Sequence, residues 1–238
     1  MAASDSKHYR NLLLAALPPQ DIKRLSSQLE LVELPRRTQL EWPNRKIETV
    51  YFPESGIVSI VATGGPGAHV EIGIIGREGM TGVAILHRTD QFPYSSYMQV
   101  SGRGYAIKVG VLRDAMKRSA ECQRVLGNFA QALTLQIAET AVANARANVE
   151  ERLARWLLMA QDRVGGDTIP LTHEFLSLMM AARRSGVTEA IHSLADQGLV
   201  SHKRGLITVI NRARLEERAG RYYGVSEKEY RRLLGRQT

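Results

Sequence analysis

Cysteine is nearly absent: Cys122 is the only one in 238 residues. A single thiol excludes an intrachain disulfide, and it excludes a thiolate-held zinc or iron–sulfur site drawn from one chain. Long hydrophobic runs are missing as well. No stretch approaches the roughly 18 apolar residues needed to span a bilayer. The short apolar run at residues 12–17 stops at Pro18-Pro19, with no small-residue cleavage pattern behind it. These absences predict a cytoplasmic protein with no membrane partner. Catalytic signatures are also lacking. There is no nucleophile elbow, P-loop or dinucleotide fingerprint, and the six histidines make no HExxH or other zinc spacing. An enzyme is not expected, nor a metal site, nor a resident cofactor. His69 and Glu71 could share a strand face as a surface pair, and Cys122 reads as a packed thiol.

What is present is an ordinary globular composition, 44% hydrophobic and 24% charged, with a net charge of +8. A basic excess suggests a polyanionic partner. From residue 172 onward 12 Lys/Arg face 7 Asp/Glu, whereas residues 1–171 hold 20 against 17. The positive field therefore sits in the last third.

Residues 20–110 read as β structure. Stretches rich in Val, Ile and Tyr at 49–52, 57–62, 70–75 and 97–100 alternate with turn residues. Gly73, Gly76, Gly79 and Gly82 recur at every third position and read as tight corners of a β-barrel or jelly roll, since no Lys-Ser/Thr follows to make a phosphate cradle. From Val111 to Ala147 helix formers dominate. A heptad register places Leu126, Leu133 and Thr140 at d and Ala130, Ile137 and Asn144 at a, which predicts a dimer seam. The alternative is a helix packed on its own β domain. Asn148 with Glu151 makes a capping box, so a new helix should begin there and residues 147–148 should form a hinge.

Residues 171–210 read as two short helices and a β-hairpin. Thr172 is a good N-cap, and Val187, Ile191, Leu194 and Ala195 make a buried stripe on the second helix. The other face carries Arg183, Arg184, Ser185, Thr188, Glu189 and His192, and Lys203-Arg204 stand at the hairpin turn. Such a winged helix-turn-helix would place the second helix in the major groove of double-stranded DNA, with Thr172, His173, Lys203 and Arg204 near the backbone.

The order of β domain, long helix, capped helix, helix-turn-helix and wing resembles the cyclic AMP receptor protein/FNR superfamily of bacterial transcription regulators. The likeness is most specific over residues 171–210, including Asp196-Gln197-Gly198-Leu199-Val200, and also covers Tyr51-Phe52-Pro53-Glu54-Ser55-Gly56 and Gly76-Arg77-Glu78-Gly79. The resemblance implies an α+β fold with three parts. These are a cyclic-nucleotide-binding-like β-roll or jelly-roll sensor domain over 1–110, a dimerisation helix over 111–147, and a winged helix-turn-helix with a C-terminal extension over 148–238. It further implies a homodimer that binds a pseudo-palindromic promoter site, with RNA polymerase as a further partner. A small-molecule sensor acting on a protein partner is the alternative.

Two departures matter. Arg184-Ser185-Gly186-Val187-Thr188-Glu189 keeps the family's first Arg and its Val, but Ser185 replaces an acid and Glu189 stands where a base-reading Arg often lies. The family's nucleotide cassette pairs a Gly-Glu with a downstream Arg. Here Gly82 is followed by Val83, and Tyr94-Ser95-Ser96 occupies the Arg region. An effector pocket around Gly82, Val83, Tyr94, Ser95 and Ser96 is expected not to take cyclic AMP, and its effector is unknown.

Overall fold

The computed structural model describes residues 9–65, 69–171, 173–180 and 182–235. Two short helices, α1 (Leu12–Ala16) and α2 (Pro19–Leu25), lead into seven strands: β1 (Glu30–Leu34), β2 (Gln39–Glu41), β3 (Thr49–Pro53), β4 (Ile57–Thr63), β5 (His69–Ile75), β6 (Ser95–Val100) and β7 (Gly102–Lys108). They pair antiparallel in two sheets, of order β1-β7-β3 and β2-β6-β4-β5. Alternation along the strands turns Phe52, Val58, Met98 and Ile107 inward, all essentially without solvent contact. This is the expected β-rich domain.

The Tyr51–Gly56 motif ties this domain to the N-terminal helices. Asn11 caps α1 through its side-chain oxygen and donates its amide to the carbonyls of Pro53 and Gly79. Its own backbone N–H is accepted by Glu54 at 3.0 Å. Gly56 has φ +84°, and a Cβ there would stand 2.6 Å from the Val100 carbonyl. That position admits only glycine without a shift of backbone.

The long helical region is two helices rather than one: α3 (Val109–Arg118) and α4 (Ala120–Arg146). Ser119 breaks them with extended backbone, accepts the Cys122 N–H and donates its hydroxyl to Asp21 at 2.5 Å. The composition is helical across the join, so only the Ser cap marks it. The Asn148–Glu151 capping box is present in both directions and opens α5 (Val149–Val164), which Gly165 ends at φ +72°.

The glycine series is only in part a set of corners: the Gly79 N–H donates to the Gly76 carbonyl at 3.1 Å across a turn at Arg77-Glu78. Only Gly82 has positive φ. The other three mark close approach of helices: a Cβ on Gly73 would meet Gln136 and Ile137 at 3.3 Å. On Gly76 it would meet Arg163 at 2.6 Å, and on Gly79 the Phe129 ring at 2.3 Å. Helices α4 and α5 lie on the strand end that these residues leave bare.

After α5 come β8 (Thr168–Pro170), α6 (His173–Met179), α7 (Arg184–Asp196), β9 (Val200–Lys203), β10 (Leu206–Val209), α8 (Arg212–Ala219), a 3-10 turn at Gly220–Tyr222 and α9 (Val225–Leu234). The wing is a three-stranded sheet, β8-β10-β9, not the lone hairpin expected. Trp156, Leu157, Leu176, Val187, Ile191 and Ile207 form its shared core. Helix α9 leaves this unit and packs on α4 and the β domain, where the Asn128 amide of α4 donates to the Leu233 carbonyl and the Tyr230 hydroxyl to the Glu78 carbonyl, both at 2.8 Å. The C-terminal extension thus ends against α4 and the β domain. No helix among the described residues is long and apolar enough to cross a membrane.

Candidate nucleic-acid interface and effector cavity

Helix α7 buries Val187, Ala190, Ile191 and Leu194 at three- and four-residue spacing, which fixes its opposite face outward. Arg183, at the N-cap, and Arg184, Ser185, Glu189 and His192 are exposed; Thr188 is half-buried. Across from it, Gly205 (φ +77°) turns the chain between β9 and β10 and leaves Lys203 and Arg204 exposed. The His192 and His202 rings meet edge-on with centroids 5.0 Å apart, so the second helix and the wing present one continuous surface. Thr172 lies outside the described residues. His173 opens α6, and its side chain is likewise outside them. A Cβ on Gly186 would meet nothing within 4 Å, so no internal packing demands glycine there.

The arginines sort into two groups. Arg212 bonds Asp162, Glu216, Gln161 and the Tyr223 hydroxyl, Arg218 bonds Glu150 at 2.5 Å, and Arg214 donates to the Gln197 carbonyl. These hold α8 against α5 and α7, which gives the α8 arginines a structural role. Arg183, Arg184, Lys203 and Arg204 have no ion-pair partner among the described residues. Their charge is directed at solvent.

Of the expected effector residues, Gly82, Val83 and Ser96 line a cavity of about 210 Å³ between the β domain and α4. Tyr94 and Ser95 do not line it; Tyr94 packs edge-on against Phe92, which does. Sequence reading missed Glu41. Its carboxylate, 6% exposed, accepts the Gly82 N–H and the Ser96 hydroxyl (3.1 Å). Burial pushes its pKa up, against the lowering effect of those two bonds. A lone Glu in a three-residue strand carries no motif that could have flagged it. No Arg or Lys lines the cavity.

The seam residues fall mainly on the inner side of α4. Leu126 and Leu133 are buried in the β-domain core with Phe52 and Ile75, Ala130 is buried beside the Glu41 cavity, Ile137 and Thr140 are half-buried, and Asn144 is exposed. The stripe left open lies one residue on: Gly127, Gln131, Thr134, Ala138, Ala141 and Ala145, at the same heptad spacing. One residue turns a helix by about 100°, so the bulkier stripe marks packing on the β domain and the small one marks the free face.

The β domain and α5 are joined by buried polar groups. Glu71 does not pair with His69, which instead meets Thr63 at 3.1 Å; it points inward and accepts Trp156 Nε1–H at 2.6 Å and the Ser59 hydroxyl at 2.5 Å. Burial pushes its pKa up to about 7, although Ser59, Trp156, Arg163 and Arg155 all pull it down. Arg163 of α5 reaches Glu78 at 2.8 Å, the close approach that Gly76 permits. Burial also pushes the Cys122 thiol up to about 11, which keeps it un-ionised at neutral pH.

Residues 151–218 match the model of the Crp-like helix-turn-helix domain. Among solved structures, the chain is similar to a regulator of the Crp/Fnr family from Eubacterium rectale, with TM-score 0.66 and 19% identity, covering 87% of this chain and 97% of that one. FixK2 from Bradyrhizobium japonicum has TM-score 0.68 and 16% identity, over 79% of this chain and 96% of its own. CLP from Xanthomonas campestris, described as a c-di-GMP-responsive global regulator, has TM-score 0.65 and 17% identity, over 81% and 99%. No curated protein matches the sequence. The chain therefore carries a Crp-like helix-turn-helix domain behind a β-rich domain, in the fold of the Crp/Fnr transcription regulators.

Proposed function

We propose that the protein is a homodimeric, sequence-specific DNA-binding transcription regulator whose β domain answers to something other than cyclic AMP. The observation that carries this reading is the sorting of cations. Those of α8 are spent on internal bonds, while Arg183, Arg184, Lys203 and Arg204 stand without an ion-pair partner among the described residues on one surface. In this reading Arg184 enters the major groove, where its fork can bond guanine O6 and N7 together, worth about 1–3 kcal/mol of discrimination. Lys203 and Arg204 bond phosphates, which adds affinity and salt dependence. Gly186, with open space beside it, lets the DNA backbone approach α7 closely.

Selection from random duplexes tests this. The purified protein is expected to recover a two-fold symmetric motif, and Arg184→Ala to lose about ten- to hundredfold in affinity for it while keeping its non-specific binding. Equal loss on every sequence would sink the base-reading role.

The dimer of this proposal pairs the open α4 stripes, which would set two α7 helices about 34–36 Å apart for successive major grooves. Ala138→Glu would then place two like charges at a contact of small residues. The variant is expected to sediment as a monomer with its circular dichroism unchanged. A persistent dimer would move the interface elsewhere.

The Glu41 cavity supports the second half of the reading. A shielded carboxylate in a cavity that offers His87 but, among the described residues, no Arg or Lys gives a cyclic phosphate no guanidinium fork and favours a neutral or cationic hydrogen-bond donor. Such a ligand can switch the protein only by binding one arrangement of the domains better than another.

A further inference from the structure

A second cavity of about 270 Å³ lies where the β domain, α4, α5 and α9 meet, and it shares no lining residue with the Glu41 cavity. Its acids are already matched. Glu78 takes Arg163 and two bonds from the Gly76 N–H, Asp162 takes Arg212 (2.9 Å) and the Tyr223 hydroxyl (2.6 Å), and Glu227 takes the Gly224 N–H (2.9 Å). Two of its three arginines are not. The side chains of Arg77 and Arg231 have no hydrogen-bond or ion-pair partner among the described residues, and Arg77 Nε is shielded from solvent as well. A shielded N–H donor left unbonded is costly, so this wall gains when an acceptor enters.

We propose that this junction cavity binds a small oxyanion, a phosphate or carboxylate group, between Arg77 of the β domain and Arg231 of α9. A guanidinium fork suits either anion, with two parallel N–H···O bonds. The cavity lies below the usual ~300–1,000 Å³ of drug-sized sites, which limits the ligand to a free anion or a small metabolite that carries one. The Tyr230 hydroxyl is held by the Glu78 carbonyl, so the α9 wall is fixed to the β domain before any ligand arrives. Because Asp162 and Arg163 of α5 complete the walls, an occupant favours the arrangement in which sensor domain, α5 and C-terminal helix are assembled. The site does not depend on DNA binding or on the Glu41 cavity.

The test is calorimetric titration of the full chain with inorganic phosphate and, separately, with malate, at fixed ionic strength against a chloride control. Saturable binding of at least one is expected, and which arm binds distinguishes a phosphate source from a carboxylate source. Arg77→Met and Arg231→Met should each weaken it about ten- to hundredfold, the loss of a charge-assisted pair. Arg231 is exposed and its removal leaves the fold intact, so it serves if Arg77→Met misfolds. Lys228→Met, on the same helix but outside the cavity, should bind as the unaltered chain does. No saturable heat from either anion, or full affinity in Arg231→Met, would overturn the proposal.

Discussion

Glu71→Gln is expected to leave stability almost unchanged near pH 4 and to raise it by up to about 3 kcal/mol at pH 8. The sign follows from the proton count. In the folded protein burial holds the Glu71 pKa at about 7, against an ordinary 4.5 in the unfolded chain. Between those values the native state keeps a proton that the unfolded state has released. Stability therefore falls as pH rises from about 4.5 to about 7 and is level above that. Gln stays neutral throughout. It can still accept the Trp156 N–H and can turn its amide to the Ser59 oxygen, so the packing is kept while the titration is removed. The groups facing Glu71 are Arg155 and Arg163 from α5 and the Tyr97 phenol from β6, and the two cations already oppose the shift. Urea unfolding at the two pH values reads the difference directly. An equal effect of Glu71→Gln at both would mean that Glu71 stays ionised in the fold.

This carboxylate sits between the β domain and α5. Its bond to Trp156 survives in either protonation state, since both forms accept from an indole N–H. Protonation changes the strength of the join and leaves its partners in place.

The sequence made some elements legible for identifiable reasons. The α7 stripe is strictly amphipathic, the Asn148–Glu151 box is a two-residue signal, and Gly165 and Gly198 end helices at positive φ. Each is a local rule that the tertiary structure does not override. What sequence reading misplaced depends on non-local contact. Leu126 and Leu133 fit a heptad seam as well as they fit a core helix, because periods of 3.5 and 3.6 barely diverge over three turns. Only the neighbouring Phe52 and Ile75 decide which way they face. The spacing of the glycines showed the turn between Gly76 and Gly79, but a period alone does not reveal that Phe129 and Arg163, 50 and 87 residues beyond Gly79 and Gly76, need the vacant Cβ positions. Glu41 and Glu71 were invisible as site residues for the same reason. A single carboxylate announces its burial only when the residues that cover it are known.

Arg163→Met should destabilise the fold by about 3–5 kcal/mol. Arg163 is 7% exposed, donates to the Met159 carbonyl at 2.7 Å and pairs with Glu78, which is 16% exposed. Methionine reproduces much of the arginine stem that runs across Gly76, so the packing loss is small. The cost comes from Glu78, left with its two 3.1 Å bonds to one N–H and no cation in a shielded place. Glu78→Gln on the same background removes that stranded charge while its amide oxygen still accepts from Gly76. The double variant should therefore recover most of the loss. In a double-mutant cycle the coupling should reach the upper part of the ~0.5–3 kcal/mol seen for residues in contact. Additive losses would instead mean that Arg163 acts through packing alone. A recovered double variant would separate the two tasks of this pair. Joining the β domain to α5 needs shape at Gly76, whereas the charges matter because each would be stranded without the other.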